Sequence, residues 1–147
     1  MTIDYTVASL PALTFGAPAP LTREKFVEST GYTAHPQRWN ELETVLRNAM
    51  AEVRGGERKK RPVQECSIYW KNRVLACFQE RDVAKREELL DRVWWDAAGE
   101  LTPLANPLSA GALATYAVRL EIALKRDGIS QEKGNAAFDR LTEETKA

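Results

Sequence analysis

Histidine and cysteine are scarce in this chain of 147 residues, which has one histidine, His35, and two cysteines, Cys66 and Cys77. A lone histidine has no second imidazole with which to share a metal. Because His35 stands directly before Pro36 at a helix start, a capping or exposed role is expected. On one helix the two cysteines would lie roughly 16 Å apart along the axis, too far to bridge each other, and their spacing fits no zinc pattern. Free intracellular thiols are the expectation. No apolar run approaches the roughly 20 residues that a spanning helix needs, and the opening MTIDYTVASLPAL lacks the basic start and long apolar stretch of a secretory signal. Net charge is absent as well, with 21 basic against 21 acidic residues, so no global field steers the chain to nucleic acid or to an anionic membrane. A cytoplasmic protein without direct membrane insertion is expected, peripheral to a membrane only through a partner complex.

What is present is helical periodicity. No segment alternates over strand length and no solenoid-period repeat is visible, so the fold class is all-α. The reading is one domain, residues 1–147, forming a bundle of about five to six helices built from helix hairpins. Residues 1–20 carry Pro11, Pro18, Pro20 and Gly16 among the apolar anchors Tyr5, Val7, Leu10, Leu13 and Phe15. They read as extended or short-helical chain, with a helix from Ile3 ended by Pro11 preferred over a lone strand because no hairpin partner follows. Thr22 can cap a short helix with Phe26 and Val27 buried and Gly31 at its end. His35-Pro36 opens a helix whose stripe is Trp39, Leu42, Val45, Leu46, Ala49, Met50 and Val53, closed by Gly55-Gly56. Residues 55–62 are a polar basic loop. Pro62 suits the first turn of a helix carrying Cys66, Tyr69, Trp70, Val74, Cys77 and Phe78, and two partly buried faces place that helix mid-bundle. A turn with Asp82 as cap leads into the next helix.

Residues 90–128 are the organising stretch. Leu89, Leu90, Val93, Trp94, Ala97 and Leu101 form one stripe, stopped by Pro103 and Pro107. Ser109 is placed to cap a second helix with Leu113, Tyr116, Ala117, Leu120, Ala123 and Leu124, closed by Asp127-Gly128, after which Ser130 caps a last helix. Trp94 and Trp95 lie about 100° apart around their helix, so both are buried only if the helix is covered on two sides. Otherwise one faces a neighbouring helix and the other a partner protein.

No catalytic, cofactor or metal constellation stands out, and a non-enzymatic role is expected. Glu87, Glu88 and Asp91, interleaved with Lys85, Arg86 and Arg92, read as an ion-paired solvated face. Gly16, Gly55 and Gly56 belong to no phosphate-cradling pattern. The basic run Arg58, Lys59, Lys60 and Arg61 lacks interleaved aromatics, so a solvated loop is preferred to nucleic-acid binding.

Two segments resemble known families. Tyr5-Thr6-Val7-Ala8-Ser9-Leu10-Pro11-Ala12-Leu13-Thr14-Phe15 is similar to the start of the bacterial domain-of-unknown-function 2764 family, whose genes lie among those of V-type ATPases. Leu90, Asp91, Trp94 and Trp95, a Pro-containing break, then Ser109, Leu113, Tyr116, Leu120 and the Asp127-Gly128 turn resemble that family and also the V/A-type ATPase component, known as C or d, that joins the central stalk to the membrane ring. These are packing residues, and the chain is much shorter than that component in full. The resemblance implies a non-catalytic helical subunit or accessory factor of a rotary ATPase, binding no cofactor and contacting the central stalk or membrane ring. Tyr5, Leu10, Phe15, Trp94 and Trp95 are the candidate partner interface. A stand-alone helical adaptor is the alternative.

Overall fold

A computed structural model describes residues 2–55 and 68–146, with 133–146 as helix backbone. The expectations for Cys66, the Pro62 helix start and the Arg58 to Arg61 run lie outside the described residues. Six α-helices are present among those described, α1 Ile3–Ser9, α2 Arg23–Thr30, α3 Gln37–Val53, α4 Ile68–Cys77, α5 Val83–Ala98 and α6 Ala110–Lys146, with a 3-10 turn Gly99–Leu101 after α5. No strand occurs among the described residues, and no helix there is long and apolar enough to cross a membrane.

Local chemistry sets most helix ends. The side chains of Thr2, Thr22 and Asp82 accept from backbone N–H groups in the first turns of α1, α2 and α5, satisfying donors that have no partner inside the helix. Gly31 ends α2 in the left-handed conformation, φ 71°, which a glycine adopts without a Cβ penalty. Ser109 departs from expectation. Its carbonyl accepts from the N–H groups of Ala112 and Leu113, yet its Oγ is buried and has no hydrogen-bond partner among the described residues.

From α3 to α6 each helix packs on the next, and α3 also touches α5. The main core joins Trp39, Leu42, Leu46, Val74, Val93 and Trp95 to Val118 and Ile122. α6 buries a second face, where Ala117 and Leu120 meet Phe26 of α2. α4 packs between α3 and α5, and α6 is likewise covered on two sides, by α5 and by α1 and α2. Val27, Val53 and Leu89, expected on buried stripes, are exposed.

The expected break at Asp127-Gly128 is absent, since α6 runs through it and through Ser130 without interruption. Glycine inside a helix costs only about 1 kcal/mol relative to alanine. Asp127, moreover, is used elsewhere: its Oδ2 accepts from the Ala19 N–H at 2.9 Å. A residue that reads as a turn former thus tethers the N-terminal segment to the side of a continuous helix.

The α5–α6 corner is bound by side chains of α6. Thr115 donates to the Ala98 carbonyl at 2.8 Å and shares a hydrogen bond with Thr102, and Arg119 Nε donates to the Trp95 carbonyl at 3.0 Å. Carbonyls near the end of α5 are thereby engaged by the helix that follows.

Candidate functional site

Where α3, α5 and α6 meet, their packing leaves an open groove of about 260 Å³. Glu87, Leu90, Asp91 and Trp94 line it from α5, and Val118, Glu121, Ile122 and Lys125 from α6. Both sets are spaced i, i+3, i+4, i+7, so the groove follows one face of each helix for about two turns, roughly 10 Å. α3 adds Trp39, Glu43 and Met50. Trp39, Leu90, Val118 and Ile122 are buried and form an apolar floor, while Trp94 and Met50 are half-buried walls.

Charge around the groove is divided unevenly. Asp91, whose side chain is 14% exposed, takes Lys125 Nζ at 3.1 Å and Arg126 at 3.3 Å, and this pair of contacts fastens α5 to α6. Among the described residues Glu43 pairs only with Arg47 on its own helix, and Arg47 is 71% exposed, so the pairing is weak in water. Glu121 meets His35 at 3.1 Å. No ion pair joins Glu87 to another described residue. Each of the three helices thus brings one carboxylate without a strong cationic partner among the described residues, in Glu43, Glu87 and Glu121. The expected ion-paired face of α5 is instead directed at α6, with Glu88 and Asp91 both reaching Arg126, while Arg92 pairs with Asp96 at i,i+4.

His35 is neither a cap nor free. Its Nδ1 lies 2.6 Å from the Tyr32 hydroxyl, and its Nε2 lies 3.1 Å from both oxygens of Glu121. Both contacts are satisfied together when Nε2 carries the proton, with the phenol donating to Nδ1 and the imidazole to the carboxylate. The order hydroxyl, imidazole, carboxylate resembles that of a nucleophilic triad. Burial, reinforced by the Glu121 charge, pushes the Tyr32 phenol up to about 12. Through these contacts the α2–α3 connection is joined to α6. Phe26, stacked on Tyr116 with centroids 5.5 Å apart and tilted against Tyr32, continues this junction.

The residues singled out in the sequence are placed in different surroundings. Trp95 is in the core and Trp94 lines the groove. Phe15 meets Trp95 edge-on at 5.4 Å, and its ring lies under the guanidinium carbons of Arg126 at 4.7 Å and Arg92 at 5.1 Å. Leu10 packs beside Phe26 and Leu120. Tyr5 is 61% exposed on a helix with no buried residue. Phe15 and Trp95 are therefore brought together, but away from the groove, and Tyr5 joins neither. A second cavity, of about 270 Å³, lies between the N-terminal segment and α6, with Leu10, Leu13, Tyr116 and Arg119 on its walls. Burial lowers the Arg119 pKa, against the pull of Asp96 and with that of Arg92.

Sequence periodicity does not mark Trp39, Glu43, Glu87 and Glu121 as parts of one site. The available signal was a carboxylate beside each apolar stripe, and it becomes a site only once three stripes are known to converge. Among the described residues no three His, Cys, Asp or Glu side chains are grouped to hold a metal ion. The fold and groove define an all-α bundle with an open, acid-rimmed apolar furrow. Comparison with protein-family models, curated proteins and solved structures finds no match.

Proposed function

We propose that this chain is a non-catalytic helical interaction protein that acts within a V/A-type rotary ATPase, as a subunit or accessory factor at the stalk or membrane ring. The observation that carries the interaction reading is the groove between α3, α5 and α6, which leaves the half-buried Trp94 open to solvent on an apolar floor. Aromatic side chains set in such recesses are the usual anchors of protein interfaces. The choice of complex rests on the resemblance carried by Leu90, Asp91, Trp94, Trp95 and the 5–15 segment. Within that pattern the residues divide their work: Leu90 and Trp95 are core, Asp91 clamps α6, and Trp94 is left to meet a partner.

Purification of the tagged protein from its native cell after mild detergent extraction, with the retained proteins identified by mass spectrometry, tests this reading. Stalk or ring subunits are expected among them. If an intact ATPase is isolated without this chain and the chain without the ATPase, the function reduces to a stand-alone adaptor.

A further inference from the structure

We infer that the groove receives a basic amphipathic helix of a partner protein. Apolar side chains on successive turns of that helix seat between Trp39 and Trp94, and its lysines or arginines meet Glu43, Glu87 and Glu121. The inference rests on the interaction reading above and adds the chemistry of the partner. Three features select this occupant.

Shape is the first. The groove runs along two turns of α5 and α6, matching the i, i+3 or i+4, i+7 spacing at which a docked helix presents its anchors. Its length accommodates two such anchors in series. Size is the second. About 260 Å³ falls just below the roughly 300–1,000 Å³ of pockets that enclose a drug-sized molecule. The space suits one or two side chains delivered by a backbone that stays outside.

Charge is the third. Of the four carboxylates that line the groove among the described residues, Asp91 is engaged by Lys125 and Arg126. Glu43, Glu87 and Glu121 remain, one from each helix that lines the groove. Among the described residues Glu87, which is exposed, has no ion pair, Glu43 has only an exposed i,i+4 pairing, and Glu121 faces the imidazole of His35. A neutral helix would leave these carboxylates beside it partly desolvated, and an acidic one would be repelled. Lysine or arginine beside the apolar stripe would pair with them.

The test titrates the intact protein with a synthetic leucine–lysine peptide of about 18 residues, long enough to hold an amphipathic helix, and with its leucine–glutamate counterpart. Indole N–H signals of the protein provide the readout. The lysine peptide is expected to bind and to shift the Trp94 signal, and the glutamate peptide is expected not to bind. The double variant Glu43→Lys/Glu87→Lys, with helicity unchanged by circular dichroism, should weaken the lysine peptide about tenfold or more. Equal binding of the two peptides, an unmoved Trp94 signal, or unchanged affinity in the charge-reversed variant would overturn the inference. So would concentration-dependent self-association that Trp94→Ala abolishes, since a second copy would then fill the groove. A charge-reversed variant that still co-purifies with ATPase subunits would leave the interaction reading standing and remove only the basic partner.

Discussion

At Gly111 the space for a side chain is missing altogether. A Cβ built there would lie 2.1 Å from the Leu101 carbonyl oxygen and 3.1 Å from Pro103 Cδ, so the first turn of α6 can lie against the 3-10 turn only without one. Gly111→Ala is expected to destabilise the fold by about 1–3 kcal/mol, as overpacking does, and a urea denaturation midpoint measures it. Gly128 has nothing within 4 Å of its would-be Cβ, which makes Gly128→Ala a mid-helix control with neutral or positive effect. Tyr32 supplies a test of sign. Its pKa is raised from 10.0 to about 12 in the folded protein, so the native state holds that proton more tightly than the unfolded chain. The associated stability is fully present below pH 10 and is lost as the pH rises from about 10 to about 12. Removing the phenol in Tyr32→Phe should make the decline in stability over that window shallower, as read by denaturation at fixed pH values. A decline of equal slope in both proteins would place the alkaline transition at other groups. Neither residue announces itself in the sequence. Glycine near a helix start carries no mark of the carbonyl it must pass, and the charge that helps raise the Tyr32 pKa belongs to Glu121, far along the chain.

At the scale of elements, the N-terminal segment shows how a Pro-rich stretch becomes part of a fold without a helix of its own in the core. It is fixed at separate points: Tyr116 donates its hydroxyl to the Pro11 carbonyl at 2.8 Å, Asp127 accepts from Ala19, and Phe15 inserts against Trp95 beneath Arg92 and Arg126. Phe15 is only half-buried, so Phe15→Ala is expected to cost about 1–3 kcal/mol, below the range for a fully buried phenylalanine. The effect should be local. Hydrogen exchange should accelerate at the Ala19 amide while the amides of α3 and α5 stay protected; equal acceleration throughout would mean that the segment is integral to the core. Side-chain caps and apolar stripes made most of the helices legible, as at Thr22, Asp82 and the Trp39 to Ala49 stripe of α3. The continuous α6 was not legible, because Asp127-Gly128 followed by Ser130 has the composition of a helix stop and restart. Only the pairing of Asp127 with Ala19 shows that its carboxylate has a tertiary use.

For the whole molecule, the all-α class follows from apolar spacing alone, since every long stripe repeats at three and four residues. The arrangement of helices does not follow from it. Covering both faces of α6 required the N-terminal segment and α2 to fold back on it, and the groove exists because α3, α5 and α6 converge without filling the space between Trp39, Trp94 and Ile122. Adjacent tryptophans illustrate the division. Their angular separation predicts different neighbours, but only packing assigns Trp95 to the core and Trp94 to the opening.

The most direct test of the central claim, that the groove at Trp94 is where this protein meets its partner, compares Trp94→Ala with Trp95→Ala in one purification from the native cell, alongside thermal denaturation of each variant. Trp95→Ala is expected to lose about 3–5 kcal/mol of stability, as deletion of a buried aromatic does, and any loss of partners then follows from loss of the fold. Trp94→Ala is expected to stay folded with a smaller loss and yet release partner proteins that co-purify with the unaltered protein. A folded Trp94→Ala protein that retains every partner would contradict the account.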